Sequence, residues 1–322
     1  MILSVSRRTD IPAVYADWFF NRVKDEKVLV PNPMNPRAIS NVSLSPDVVD
    51  GIVFWTKNPI PMFNRLSELE KYKGRFYFTY TLNPYDKDAE PNIPSKEKEL
   101  IPAFIELSKA LGKERVCWRF DPIFISEKYS VGYHLSKFEE YAIQISPYTE
   151  KCTVSFVDLY DKTLRNTRNL GLRAPTIEEE KFLLSEMVKV TNKFGIILDT
   201  CCELHNYDFL GVRHAHCIDK DRLERIGGYH LNVQKDKTQR PACGCFSSID
   251  IGSYNTCTNA CLYCYANFNQ AEVKKNKAEH DPNSPLLFGN ITSEMKITNR
   301  KMESLIEVPK EQPYEEQQGT LF

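Results

Sequence analysis

The chain has 322 residues, 42% of them hydrophobic, and a formal net charge of −1 at neutral pH. That length allows one large α/β core with appendages, and the near-zero charge gives no electrostatic case for non-specific adhesion to nucleic acid or membrane. No apolar run has transmembrane length, and the opening Met-Ile-Leu-Ser-Val is too short, and too soon followed by Arg7 and Arg8, to be a signal peptide. A cytoplasmic protein with no membrane partner is expected.

Short β-branched and aromatic runs alternate with longer amphipathic ones. Strands are predicted at Ile2–Ser6, Ile52–Lys57, Phe76–Leu82, Val116–Asp121, Thr153–Leu159 and Ile196–Cys201. Helices are predicted at Pro12–Lys24, Met62–Lys71, Lys96–Leu111, Lys137–Tyr148 and Ile177–Phe194. Ser136 with Glu139 and Thr176 with Glu179 have capping-box spacing, while Gly112 and Gly195 stand where C-cap glycines end helices. Strand–helix units recurring about every forty residues imply parallel pairing with right-handed crossovers. Six such units suit a partial (βα)6 TIM-like barrel over residues 1–205; a doubly wound open sheet competes with it, and periodicity does not choose between them. A cysteine-rich segment over residues 206–270 is expected to pack on the barrel mouth. Residues 271–322 read as a C-terminal extension whose charged, proline-bearing end, from Glu307, is expected to be disordered.

Active sites in barrel-type folds form at the C-terminal ends of the strands. Those ends here carry Arg7, Arg8 and Asp10, then Trp55, Lys57 and Asn58, then Arg119 and Asp121, and then Asp158. Arg7, Arg8, Asp10, Lys57, Arg119, Asp121 and Asp158 are the candidates to face a substrate or cofactor. Arginine suits a carboxylate or phosphate, and Trp55 or Tyr160 can stack on a ring. The alternative for each charged residue is a structural salt bridge across the strand tops.

Ten cysteines without a signal peptide, six of them between Cys217 and Cys264, point to metal ligation in a reducing compartment rather than to a disulfide framework. Cys257, Cys261 and Cys264 have C-x₃-C-x₂-C spacing, with Tyr263 directly before the third. Soft sulfur ligands select iron–sulfur clusters or zinc, and three thiolates on a four-iron cube leave one iron open. A closed zinc knuckle, with Cys243 or Cys245 as fourth ligand, is the inert alternative. Cys201 (with Cys202 beside it), Cys217, Cys243 and Cys245 form a possible second site. They would hold an auxiliary cluster, supply a fourth ligand to the first, or join His205, His214 and His216 in a mixed zinc site. Cys117 and Cys152 begin core strands and read as packing.

Cys257, Cys261 and Cys264 with Tyr263 resemble the cluster loop of radical SAM enzymes. The longer run from Cys243-Gly-Cys245 through Asp250-Ile-Gly-Ser-Tyr-Asn-Thr-Cys257 to Tyr263-Cys264-Tyr-Ala is similar to the radical-SAM-like family known as domain of unknown function 1848. Ser4-Val-Ser-Arg-Arg-Thr-Asp-Ile-Pro12 and Phe54-Trp-Thr-Lys-Asn-Pro59 are similar to it as well, so the resemblance covers most of the chain. It implies a partial barrel and a [4Fe-4S] cluster on Cys257, Cys261 and Cys264. It also implies S-adenosylmethionine on the fourth iron, cleaved reductively with electrons from a flavodoxin- or ferredoxin-type partner. By the same resemblance Tyr263 lies near the adenine side. Trp55 and Asn58 occupy the strand end where such enzymes carry Gly-Gly-Glu for the methionine amino group. The chain departs from the pattern there, in lacking an adenine or ribose motif, and in placing the loop after six strands rather than after the first. The expected function is a radical-SAM-like iron–sulfur enzyme of unassigned substrate. The alternatives are a non-catalytic iron–sulfur electron-transfer or redox-sensing protein and a zinc-stapled binding module. Gln318-Gly-Thr-Leu-Phe322 resembles the pentapeptide by which bacterial replication and repair proteins dock on the sliding clamp, which implies that clamp as a partner and a nucleic-acid-related substrate.

Overall fold

A computed structural model of the protein describes residues 1–307. In chain order its elements are β1 (Ile2–Val5), α1 (Ile11–Val14), α2 (Ala16–Asp25), β2 (Lys27–Asn32), β3 (Asn35–Ser43), β4 (Gly51–Thr56), β5 (Phe76–Thr81), α3 (Ile101–Leu111), β6 (Val116–Ile123), α4 (Val131–Ile145), β7 (Lys151–Phe156), α5 (Asp161–Asn166), α6 (Ile177–Phe194), β8 (Ile197–Thr200), β9 (Arg213–His214), α7 (Lys220–Gly227), β10 (Ile249–Asp250), α8 (Gln270–Ala278) and β11 (Lys296–Asn299). Eight strands form one sheet in the order β10-β1-β4-β5-β6-β7-β8-β9, every neighbouring pair parallel. The six strands predicted from sequence fill the six consecutive central places. The fold is therefore mixed α/β around a parallel sheet. It differs from the expected six-strand barrel because two short strands, β10 and β9, extend the row at either end, and among the described residues those ends do not pair with each other.

Side-chain alternation divides the sheet into two unlike faces. Leu3, Ile52, Phe54, Phe76, Phe78, Trp118, Phe120 and Val154 point into the larger core, where Phe19, Phe104, Phe138, Leu184 and Met187 from the crossover helices meet them. Each such fully buried side chain contributes about 1.5–3 kcal/mol. Ile2, Val53, Tyr77 and Cys117 point the other way and meet Ala215, Cys217, Ile218, Leu223, Leu231, Cys243 and Cys245. Chain beyond β8 thus folds back across the second face, and most of its cysteines go with it.

Local signals explain several boundaries. Thr176 and Glu179 form a reciprocal capping box at α6, and Gly195 ends that helix at φ 68°. The predicted box at Ser136 and Glu139 does not form. α4 begins earlier, where Ser130 accepts from the Tyr133 amide, so Ser136 falls inside the helix. Predicted helix Pro12–Lys24 is divided at Tyr15 (φ −135°), whose hydroxyl donates to Thr256 O at 2.6 Å. The Met62–Lys71 run is wound as a 3-10 helix from Ile60 to Tyr72. The C-terminal extension is built into the fold. Trp18 Nε1 donates to Leu286 O at 3.0 Å, and β11 pairs with β3 in a three-stranded sheet ordered β11-β3-β2. The expected disordered tail beyond Glu307 and the pentapeptide Gln318–Phe322 lie outside the described residues.

Candidate active site

β10 lies beside β1 in the same direction, with Ser4 opposite Asp250. In a parallel sheet the chain leaving both strands emerges at the same end, so the segment from Ile251 onward runs over the loop that follows β1. Asp250 fixes this docking: it accepts from the Arg7 amide at 2.8 Å, from Ser4 Oγ at 3.0 Å, and from the Ser6 hydroxyl. Gly252 makes the approach possible. A Cβ there would stand 2.2 Å from Ser6 Oγ and 2.6 Å from Ser6 Cβ. Asparagines then shape the cysteine loop from within, as Asx residues do in turns. Asn255, at φ 54°, accepts the Phe268 amide at 2.9 Å, and Asn267 Nδ2 donates to Cys257 O at 2.6 Å. Asn259 Nδ2 donates to Asp10 at 3.0 Å, which ties the loop to the end of β1.

A buried polar network holds the other side of the loop. Glu90, 1% exposed, accepts from Lys57 Nζ at 2.8 Å, from Lys96 Nζ at 2.6 Å and from the Tyr263 hydroxyl. Asn83 Nδ2 and Lys57 Nζ in turn donate to that hydroxyl at 3.2 and 3.0 Å. Burial pushes the Glu90 carboxyl up, but the two ammonium groups more than offset this and hold it below the ordinary range. Burial would lower Lys57 likewise, yet Glu90 keeps it raised. Asp10 differs. Burial raises its pKa, and its partners are the amides of Lys57 and Ala13 and the Asn259 side chain rather than a cation.

One cavity of about 480 Å³ opens at this end of the sheet. Cys257, Cys261 and Cys264 line it, and so do Cys201, Cys202, Cys217, Cys243 and Cys245. Arg7, Arg8, Asp10, Trp55, Lys57, Arg119, Asp121, Asp158, Tyr160 and Tyr263 share the same wall. Every predicted strand-end, aromatic and cysteine site residue but one is therefore gathered around a single space, whereas none of the histidines offered for a mixed zinc site, His205, His214 and His216, lines it. The exception is Asn58, whose Oδ1 accepts the Ile60 amide at 3.1 Å and so shapes the turn after β4.

Several of the wall's charges are already paired. Arg119 Nε donates to Asp121 Oδ2 at 3.0 Å, its guanidinium lies 5.2 Å over the Trp55 ring, and its Nη1 reaches Cys217 Sγ at 2.9 Å. Burial alone would lower its pKa, yet Asp121 and Cys217 hold it well above the usual value. Asp158 pairs with Arg240 at the exposed lip. Arg7 Nε stands 3.8 Å from Asp250. Arg8 lies over the Tyr254 ring, with Nη1 3.4 Å from Gly252 O, and among the described residues it has no carboxylate partner.

The eight lining thiols form two groups. Burial pushes Cys257 up to about 12 and raises Cys261 and Cys264 as well; the Ala266 amide donates to Cys264 Sγ at 3.4 Å. In the second group Cys201 Sγ lies 3.0 Å from Cys217 Sγ, and the Ile218 amide donates to Cys245 Sγ at 3.4 Å. All ten cysteines are free thiols, with Cys117 and Cys152 buried in the two cores. His214 and His216 each engage a backbone carbonyl, of Ala242 and Gly244, and neither lines the cavity. Among the described residues, no three His, Cys, Asp or Glu side chains are gathered as a ready-made single-ion site.

Sequence reasoning missed Glu90, Asn83, Asp250 and Asn259 as determinants of the site. Asn83 carried a signal in standing at the C-terminal end of a predicted strand, and Asp250 and Asn259 in lying inside the cysteine-bearing run; Glu90 carried none. No helix among the described residues is long and apolar enough to cross a membrane. No curated protein and no solved structure gives a significant match. A family model described as a domain of unknown function, DUF1848, matches residues 2–266, nearly the whole described fold, and the chain belongs to that family.

Proposed function

We propose that this protein is an iron–sulfur enzyme of the radical SAM type, with a [4Fe-4S] cluster on Cys257, Cys261 and Cys264. One observation carries the reading: those three thiols face the same cavity as the arginines and aspartates of the strand ends. The donor set fits the group. Three soft sulfurs on one short loop suit a four-iron cube with one iron left for a small molecule, and an amide donor to Cys264 Sγ is the kind of contact that steadies such ligands. Burial keeps these thiols raised even with Lys57 acting on Cys261, and bound iron would supply the further positive charge that thiolate ligands need. When bound, such a cluster supplies one-electron reduction of S-adenosylmethionine, with the electron from a flavodoxin- or ferredoxin-type donor.

The chain's own residues then divide by what they are free to do. Arg8, without an acid partner among the described residues, is the group to grip a substrate or cofactor carboxylate or phosphate. Trp55 offers a ring already carrying Arg119 on one face. Lys57 and Tyr263 are committed to Glu90 and position the cysteine loop rather than bind ligand. A cavity of this size takes a small molecule or a single extruded nucleotide unit, and a nucleic-acid-related substrate is part of the proposal. The test is oxygen-free reconstitution. Iron and sulfide, an electron paramagnetic resonance signal that changes with S-adenosylmethionine, and 5′-deoxyadenosine formation lost in Cys261→Ala would support it. Zinc without sulfide, or a cluster blind to S-adenosylmethionine, would replace it with the stapled-module or electron-carrier reading.

A further inference from the structure

The second thiol group has an architecture of its own. Its sulfurs come from three segments: Cys201 just after β8, Cys217 just after β9, and Cys243 with Cys245 on the run leading to β10. Cys217, Cys243 and Cys245 are buried in one cluster with Cys201 and Cys202 packed against it, all five line the same cavity, and Cys201 meets Cys217 at 3.0 Å. A sulfur pair at 3.0 Å is closer than the ~3.5–4.0 Å at which smaller carbon atoms pack, so ordinary core packing does not account for it.

The backbone is built to hold these residues together. A Cβ at Gly244 would stand 2.8 Å from Ala215 O and 2.7 Å from His216 Nδ1, so glycine lets the Cys243-Gly-Cys245 segment lie directly on the Ala215–Cys217 segment. The contact is fastened by His214 Nε2 with Ala242 O at 2.6 Å and by Phe246 N donating to Ile218 O at 3.1 Å. Two N–H donors already address sulfur: Ile218 N to Cys245 and Arg119 Nη1 to Cys217.

We propose that Cys201, Cys217, Cys243 and Cys245 hold a second iron–sulfur cluster on the same cavity, with the buried Arg119 guanidinium offsetting the charge of its thiolates. Four cysteines complete the ligand set of such a cluster, leaving no open iron; they bind as thiolates, their protons passing to solvent. The Cys-x-Cys pair, tighter than the two- to four-residue spacing usual at tetrahedral zinc, disfavours a single zinc ion. Arg119 then joins the two halves of the site, since it also reaches Asp121 and the Trp55 face.

This inference does not rest on S-adenosylmethionine chemistry, and its test separates the two. The full chain, reconstituted without oxygen, is expected to carry about eight iron and eight sulfide, as two four-iron clusters require. With Cys257, Cys261 and Cys264 all changed to alanine, about four of each should remain, with a resonance signal indifferent to S-adenosylmethionine. Cys217→Ala with Cys245→Ala should keep the complementary four. Arg119→Met should leave the iron count of the triple variant intact and make its cluster harder to reduce. About four iron in the unmodified protein, lost when Cys257, Cys261 and Cys264 are changed, overturns the proposal, and so does zinc without sulfide in a folded triple variant. Should that variant fail to fold, the Cys217→Ala with Cys245→Ala variant decides: an iron count equal to that of the unmodified protein overturns the proposal.

Discussion

Changing Glu90 to glutamine isolates what holds the cysteine loop onto the sheet. Three donors converge on two carboxylate oxygens: Lys57 and the Tyr263 hydroxyl on Oε1, Lys96 on Oε2. An amide offers one acceptor and an NH₂ that is itself a donor, so whichever way it turns, one ammonium faces a donor. Lys96 retains Tyr85 O at 2.8 Å, but Lys57, 16% exposed, would be left with the Tyr263 oxygen alone. Removing one partner of a buried ion pair costs about 3–5 kcal/mol, and Lys96's carbonyl contact places this case toward the lower end when the amide nitrogen faces it. Urea unfolding of the metal-free protein at pH 7 should show that loss, with little change in the dependence on urea concentration. Because the Glu90 pKa is depressed in the fold, its contribution is present above the unfolded carboxylate value and is lost as pH falls through the folded one. The gap between the two proteins should therefore close in acid. Cys261 labelling by a thiol reagent should accelerate in parallel. A stability difference below about 1 kcal/mol, with unchanged labelling, would refute the assignment of Glu90 as the loop's anchor.

Tyr263→Phe keeps the ring between Tyr85 and Phe124 and deletes only the hydroxyl; a loss of about 1.5–3 kcal/mol is expected by urea unfolding, as for a hydrogen bond to a charged group. Asp250→Ala should release the cysteine run from β1, read as faster amide exchange at Gly252 and Arg7. Buried His134, with Nε2 at 2.8 Å from Phe124 O, has its pKa pushed down to about 4 by burial. Its contribution is present above the unfolded value near 6.5 and is lost as pH falls towards 4, so stability of the native protein should decline across that window relative to His134→Leu. Parallel profiles would sink that prediction.

The central strands were readable because their aromatic and β-branched runs must cover both faces of a parallel sheet, and that pattern survives in one dimension. The β2–β3 hairpin was not, since Pro31, Asn32, Pro33, Asn35 and Pro36 read locally as loop, and β3's other partner, β11, lies more than 250 residues away. Strands β9 and β10 are two residues each, too short to carry a period. At the site, residue type and spacing named the cysteines and most of the strand-end charges. They did not name Glu90, whose role comes from Lys57, Lys96 and Tyr263 arriving from three parts of the chain.

The late position of the cysteine loop, which sets this chain apart from the pattern it resembles, has a geometric answer. What a loop can reach depends on which strand it follows in space, not on when that strand is made. β10 is the tenth strand in sequence yet the immediate neighbour of the first, and it runs the same way. A loop leaving β10 meets the Ser6–Asp10 turn as directly as a loop leaving β1 would, and Asp250 and Asn259 fasten it there. The detour has a further consequence. To arrive at β10 after β9 at the opposite edge, the chain must cross the sheet's second face, and it lays Cys217, Cys243 and Cys245 across the cavity on the way. One topological feature thus accounts for both the displaced loop and the second group of thiols facing it.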